Sequence, residues 1–321
     1  MLTVRVLVIG GTQFFGKRLV ERLLERGDRV TVYSRGRRRP AFWDRIEHLQ
    51  GDRTDRRAFV RTLRGREFDV VVDNIAYEAE DVEAALEALA GRTGQYILTS
   101  SGAVYGPVTT LRPLAEEDAD LAVRTGDAYA DGKRACEQVL HRDPSVPWTV
   151  LRPPVVQGPE DPTLRGWFWY QRIADGGPVL VPREAPVAVW RQIYSEDLVE
   201  AFLLAAGNPR AHGRAYNVAM EEIAAPEDFL RLAASLLGRP DPVVSVPRSV
   251  LAGAAPWYAP PFTRRFVPDT ASVRSDLGFR STPLEAWVEA TVRWHLESRL
   301  PSSQGYDRRA EEIALAERFR G

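Results

Sequence analysis

The sequence predicts an α/β chain: a doubly wound parallel sheet with a smaller, mixed C-terminal region. Three observations predict it. Val4–Gly16 reads as a strand, a glycine turn and a helix. Five more apolar or alternating runs of strand length follow before residue 153, most of them separated by helical patterns. From Pro153 onward, prolines and tryptophans become frequent and the alternation loosens. Strands that alternate with helices pair in parallel through right-handed crossovers.

Each element has its own signal. Val4, Val6, Leu7, Val8 and Ile9 form a buried-strand run, broken by Gly10 and Gly11. From Phe14 to Leu24, Phe15, Leu19 and Leu23 recur at helical spacing. Arg29–Ser34 alternates as a second strand, and Arg35–Pro40 is a basic loop. Ile46–Gln50 is a short third strand, and Arg56–Leu63 a helix. Phe68–Asp73 is a fourth strand, and Glu78–Ala90 a helix rich in alanine and glutamate. Gln95–Ser100 is a fifth strand, Asp127–His141 a helix and Trp148–Arg152 a sixth strand. Beyond it, helices are expected at Trp167–Ala174, Glu196–Ala206, Pro226–Leu237, Thr270–Leu277 and Pro283–Glu297. Short strands are expected at Ala188–Tyr194 and Ala215–Val218, and a loop at Pro256–Pro261. Asp307–Phe319 reads as an isolated amphipathic helix after a polar spacer. The expected division is a dinucleotide-binding domain at 1–153, a mainly substrate-binding region at 154–300 with some elements returning to the first domain, and a C-terminal helix at 301–321.

Composition bounds the function. The 321 residues are 44% hydrophobic and 27% charged, with a net charge of −1. This balance does not draw the chain to nucleic acid or to a membrane surface. No apolar run approaches the roughly 20 residues that cross a bilayer, and the strand at the start leaves no room for a signal peptide. Cys136 is the only cysteine, so neither an intrachain disulfide nor a cysteine zinc site is expected. A cytoplasmic protein is the natural reading. Of 43 basic side chains only Lys17 and Lys133 are lysine, so a lysine here stands where arginine would not serve.

Two motifs carry chemistry. Gly10-x-x-Gln13-x-x-Gly16 follows the first strand and opens the first helix. Its glycines allow close backbone approach, and the helix N-terminus favours a pyrophosphate. Tyr129 and Lys133 stand at i and i+4, so phenol and ammonium share a helix face. A nearby cation favours the phenolate and makes tyrosine a usable acid/base. Thr99-Ser100-Ser101-Gly102-Ala103-Val104-Tyr105-Gly106 ends the fifth strand, where ligands bind in open α/β sheets. A serine hydroxyl there can hold a substrate oxygen.

With these residues the chain resembles an extended or atypical short-chain dehydrogenase/reductase of the NAD-dependent epimerase/dehydratase family. GGTQFFG, GDRTD, TSSGAVYG, YADGK with Glu137 after it, LRPPVVQGP and IYSEDL run in the family's order over about Val4–Trp294. The GGTxFxG form is similar to an atypical branch that includes chloroplast stem-loop-binding proteins. The resemblance implies a Rossmann fold and a catalytic set of Ser101, Tyr129 and Lys133. Tyr129 would exchange a proton with the substrate oxygen, Lys133 would hold the nicotinamide ribose and tune Tyr129, and Ser101 would orient the oxygen. It also implies cofactor contacts from Gly10, Thr12, Gln13, Phe14, Phe15 and Gly16 around the turn. Further contacts are implied from Ser34 and Arg35 after strand two, Asp52 and Arg53 after strand three, and Ala76 after strand four. Thr99 and Pro153 follow at the ends of strands five and six. No metal site is implied.

Departures from the family narrow the chemistry. Gly102 and Ala103 stand where family dehydratases carry an acidic pair. Val155 and Trp190 stand where sugar-nucleotide enzymes commonly use Asn and Arg. Trp167, Trp169 and Tyr170 form either an apolar lid or a buried helix face. Strand two ends in Ser34-Arg35 rather than an acidic residue, with Arg37 and Arg38 behind it. NADP(H) is therefore expected over NAD(H), because guanidinium pairs with a 2′-phosphate. The leading expectation is an NAD(P)-dependent oxidoreductase acting on a small carbonyl or alcohol. The alternatives are a sugar-nucleotide epimerase with retained NAD, or a non-catalytic RNA-binding or regulatory protein using the Arg35–Arg39 loop. The expected partner is a small-molecule substrate, with neither membrane nor nucleic acid, and a homodimer is kept as an option for assembly.

Overall fold

A computed structural model describes residues 3–108, 110–143, 145–183, 188–258 and 265–320. The chain divides into two compact units, 1–156 with 195–219 and 268–281, and 157–194 with 220–267 and 282–321.

The first unit is built on a seven-stranded sheet. Strands β1 (Arg5–Ile9), β2 (Arg29–Ser34), β3 (Glu47–Gln50), β4 (Val70–Asp73), β5 (Tyr96–Thr99) and β6 (Trp148–Arg152) are joined by Arg214–Asn217. The spatial order is β3, β2, β1, β4, β5, β6 and then 214–217, with every pair parallel. The order reverses between β1 and β4, which makes the sheet doubly wound and puts a crevice at their carboxyl ends. Val6 pairs with Val30 on one side and Val70 on the other. Neighbours on both edges explain why β1 is an unbroken apolar run.

The helices between strands end where local chemistry dictates. Helix α1 (Phe14–Arg26) stops at Gly27, whose φ of +90° suits glycine. The N–H of Gly27 reaches the carbonyl of Leu24, and that of Asp28 the carbonyl of Leu23, a Schellman closure. Helix α2 (Arg56–Leu63) is capped by Asp55, which accepts from the N–H of Ala58 at 3.0 Å. Helix α3 (Ala79–Leu89) carries a capping box between Glu78 and Asp81. Helix α4 (Ala128–Arg142) is capped by Asp127 on the N–H of Ala130 at 2.8 Å. Leu7, Phe59, Val71, Ala85, Leu98 and Cys136 belong to one buried core cluster of this unit.

The second unit has a core of Trp167, Phe168, Tyr170, Phe229, Trp287 and Val292. Two strands in it went unread in the sequence: Val179–Arg183 and Val243–Pro247 form a parallel pair. Each is short and contains a proline, and their partnership spans about sixty residues of chain. The strand expected over Ala188–Tyr194 reduces to Ile193–Tyr194 and a bridge at Trp190. Residues 259–261 of the loop expected at Pro256–Pro261 lie outside the described residues.

The C-terminal helix is Arg309–Glu317 and is not isolated. Leu315 and Ala316 enter the core. Glu312 pairs with Arg172 at 2.9 Å, both fully buried. The Arg172 guanidinium also donates to the carbonyls of Phe168 and Gln304 and to the hydroxyl of Ser303. A cavity of about 280 Å³ opens beside it, lined by Leu164, Trp167 and Phe168 on one side and by residues 302–304 on the other.

Candidate active site

The turn after β1 is shaped by three glycines. Gly10 has φ +87°, and a Cβ on it would meet Ile75 at 2.7 Å. A Cβ on Gly16 would stand 2.5 Å from the carbonyl oxygen of Gly10, so only glycine lets the first turn of α1 sit on the strand end. Gln13 is the N-cap in extended conformation with no side-chain capping bond, and no acidic residue lies in the first turn. The helix therefore begins with uncapped, positively polarised N–H groups, which fit a pyrophosphate. Phe15 stacks on Phe202 at 6.3 Å and meets Phe14 edge-on. Thr12 is half-buried in the same turn.

Asn74 ties this turn to the next strands. Its amide donates to the Gly10 carbonyl at 3.4 Å and accepts from the Thr99 hydroxyl at 2.7 Å.

Lys133 lies at the centre of the β4 and β5 ends. It is 2% exposed. Its ammonium donates to the carbonyls of Ala76 at 2.8 Å and Thr99 at 2.7 Å. Burial pushes its pKa down to about 8, with Asp73, Arg53 and Asp81 as the charged surroundings and the Cys136 thiol, itself pushed up by burial, beside them. Tyr129, one helical turn earlier, is about half exposed. Its ring centroid lies 5.9 Å from the Lys133 Nζ. Ser101 caps the short 3₁₀ turn Gly102–Tyr105, its hydroxyl accepting from the Ala103 N–H at 3.1 Å. Pro153, buried at the end of β6, accepts from the Gly102 N–H at 2.8 Å and so holds that turn against the sheet.

The segment around Ser101 rests on a buried polar chain. Ser100 donates to Glu137, and Glu137 pairs with Arg152 at 2.6 Å. Arg152 also reaches the Tyr105 hydroxyl, which donates to Asn217 at 2.8 Å. A buried charge pair with its remaining hydrogen bonds filled fixes geometry more than it adds stability.

At the end of β2 the Ser34 hydroxyl meets His48 Nε2 at 3.0 Å, and Arg35 and Arg37 are exposed. Asp52 folds onto Thr54, whose N–H and hydroxyl hold its carboxyl below the ordinary range; Arg35 and Arg37 deepen the effect. Arg53 turns inward. It pairs with Asp73 at 2.5 Å, lies near Asp81 and sits over the Phe59 ring at 5.0 Å. Asp73 in turn accepts from the Tyr96 hydroxyl.

The structure thus brings Ser101, Tyr129, Lys133, Ala76 and Thr99 to the carboxyl edge of the sheet, with the Gly10–Gly16 turn at its switch point. Trp167, Trp169 and Tyr170 are buried core residues of the second unit, not an exposed platform. Trp190 is likewise core, edge-on to Phe229. Asn74, Tyr77, Asp81 and Gly132 escaped the sequence reading. Their signal was position: after the end of β4 for Asn74 and Tyr77, in the first turn of α3 for Asp81 and inside the Tyr129–Lys133 motif for Gly132. Among the described residues no group of His, Cys, Asp and Glu is arranged for a metal ion, and no helix is long and apolar enough to cross a membrane.

The family model of the NAD dependent epimerase/dehydratase family matches residues 6–219. The chain belongs to this family. Among relatives of this epimerase/dehydratase family member is the chloroplast stem-loop binding protein of 41 kDa b from Arabidopsis thaliana. It is 33% identical over 254 residues, which cover 75% of this chain and 65% of that protein. The 2'-dehydrokanamycin reductase of Streptomyces kanamyceticus is 28% identical over 256 residues, 76% and 70% of the two chains. Among solved structures, the UDP-glucose 4-epimerase of Thermus thermophilus in complex with NAD superposes with a TM-score of 0.71 at 24% identity, covering 92% of this chain and 99% of that one. The likeness to that structure concerns the fold.

Proposed function

We propose that this epimerase/dehydratase family member is an NAD(P)-dependent oxidoreductase of the short-chain dehydrogenase/reductase type, acting on a small carbonyl or alcohol. One observation carries the reading: a lysine ammonium is buried at the carboxyl edge of β4 and β5, one helical turn from a half-exposed tyrosine. A buried ammonium without a carboxylate partner is costly. That expense has a purpose if Lys133 must hold ribose hydroxyls and bias a phenol.

When bound, the nicotinamide cofactor accepts or supplies a hydride at the substrate carbon. Tyr129 gives the proton to the carbonyl oxygen in reduction and takes it back in oxidation. Ser101 donates to the same oxygen. Lys133 has three protons, two of them on carbonyls. The third would go to a ribose hydroxyl. Gly10, Thr12, Gln13, Phe14, Phe15 and Gly16 would hold the pyrophosphate. Asp52, Ala76, Thr99 and Pro153 would line the rest of the cofactor path, while the Arg53 guanidinium is turned inward to Asp73.

The cofactor in this reading is NADP(H) in preference to NAD(H). Arg35 and Arg37 lie close enough to Asp52 to act on its carboxyl, which supports guanidinium groups at the adenosine-ribose end. Gly102 and Ala103 in place of an acidic pair favour redox chemistry over elimination. The reductase relative agrees with this reading. An RNA-binding reading draws on the name of the Arabidopsis relative and on the Arg35–Arg39 loop. It leaves the burial of Lys133 beside Tyr129 without a role.

The test is Tyr129→Phe, assayed with NADPH and a panel of carbonyls. Fluorescence titration of both cofactors should show NADPH binding unchanged and tighter than NADH. Turnover should fall about 10²–10⁴-fold, the usual contribution of a proton-transferring side chain. Normal turnover in the variant would remove Tyr129 from the mechanism.

A further inference from the structure

Lys133 lies under a second aromatic ring. Its Nζ is 4.6 Å from the ring centroid of Tyr77, nearer than the 5.9 Å to Tyr129. The two phenol rings are 6.3 Å apart. Tyr77 is held there by its backbone. Its N–H donates at 2.9 Å to the Asp81 carboxylate, which also receives the N–H of Glu78 at the start of α3. Its carbonyl packs against the Cα of Gly132, the residue before Lys133. The backbone of Tyr77 is therefore held from two sides, while half of the residue remains exposed.

The hydrogen bonds of the ammonium go to neutral carbonyls. The charged and titratable groups around it are Asp73 on β4, Asp81 on α3, Arg53 after β3, and Cys136 on α4. Tyr77 and Tyr129 face it with their rings. A cation over an aromatic face is attracted by the ring quadrupole, and Lys133 is almost fully buried beneath this one.

We propose that Tyr77 is a positioning residue for Lys133: its ring, rather than its hydroxyl, roofs the ammonium and holds it between α4 and the ends of β4 and β5. The consequence for turnover rests on the oxidoreductase reading above. The state of Lys133 itself does not, and it can be read without any activity. Removing the ring admits water, restores solvation to the charged form and raises the titration midpoint toward the ordinary lysine value.

The chain has only two lysines. Protein carrying ¹³C-lysine therefore gives one signal from Lys133 and one from Lys17, which serves as internal reference. Wild type, Tyr77→Phe and Tyr77→Ala are titrated by NMR, and kcat/KM for NADPH-dependent carbonyl reduction is measured against pH on the same samples. Tyr77→Phe should keep the Lys133 midpoint within about 0.3 pH units, and Tyr77→Ala should raise it by about one unit or more. The alkaline limb of kcat/KM should move by the same amount. An unchanged midpoint in Tyr77→Ala overturns the proposal, as does a Phe variant that behaves like the Ala variant. If Tyr77→Ala does not fold, Tyr77→Leu replaces it. Leu keeps most of the bulk without a π face, so it should lower the midpoint, and no change again overturns the proposal. A midpoint that moves as expected in a protein without turnover would keep the positioning role and remove the oxidoreductase reading.

Discussion

The carbonyl oxygen of Tyr77 occupies the place where a Cβ on residue 132 would stand. Helix α4 reaches the β4–α3 loop because Gly132 has no side chain, and this approach puts Lys133 between the Ala76 and Thr99 carbonyls. In an unconstrained helix Gly→Ala gains about 1 kcal/mol. Gly132→Ala should instead lose roughly 1–3 kcal/mol, the range for overpacking. Urea unfolding gives the sign directly. A gain in stability would mean that α4 can lift away from the loop at no cost.

Lys133→Arg should abolish turnover although charge is kept. Arginine is longer, planar and fixed in its fork, so it cannot hold two carbonyls and a ribose hydroxyl from the same Cα. Lys17→Arg is the control. Lys17 is partly exposed on α1, 4.0 Å from Glu21, and the change there should be nearly silent. A Lys133→Arg enzyme retaining more than about a tenth of wild-type kcat, a loss below ~1.4 kcal/mol, would count against the assignment.

Stability should rise with pH in a window set by Lys133. Its folded pKa is lowered to about 8 by burial. Below that value the ammonium is charged in both states and its burial cost is fully present. Between about pH 8 and the ordinary lysine value of about 10.4, the unfolded chain holds more protons than the folded one, so folding gains as pH rises. The stability of wild type relative to Lys133→Met should increase by up to about 1.4 kcal/mol per pH unit there. Parallel stability curves for the two proteins would show an ordinary, solvated lysine.

Glu312→Gln should cost about 3–5 kcal/mol in chemical unfolding, because it strands the buried Arg172 charge. Arg309, which also pairs with Glu312, would lose a partner too. Replacing the pair together, Arg172→Met with Glu312→Leu, should cost less than the single change. If the single and double variants are equally unstable, the C-terminal helix is held by its apolar contacts and not by this pair.

Much of the first unit was legible because its signals are local. The Gly10–Gly16 turn, the unbroken apolar run of β1 and the Tyr129–Lys133 spacing each act within a few residues. Strand and helix bounds for β2, α2 and β6 match the sequence reading residue for residue. The second unit was less legible. Val179–Arg183 and Val243–Pro247 become strands by pairing with each other. Neither has a run long enough to declare itself alone.

By itself the sequence determined the order of elements in the first unit, the doubly wound class and the motif that brings a phenol and an ammonium to one helix face. Those follow from side-chain period, glycine conformational freedom and the 3.6-residue turn. Tertiary structure decided which charges are buried and what they meet. Arg53 reads as a strand-end arginine facing a cofactor, yet its guanidinium turns inward to Asp73. Asp307–Phe319 reads as an isolated helix, yet its Glu312 pairs with Arg172 in a core. Tyr77 carries no signal in the sequence, yet its ring lies over the Lys133 ammonium. Each pairing joins residues far apart in the chain. Its energy depends on local dielectric and on the distance between the partners, and both exist only once the chain is packed.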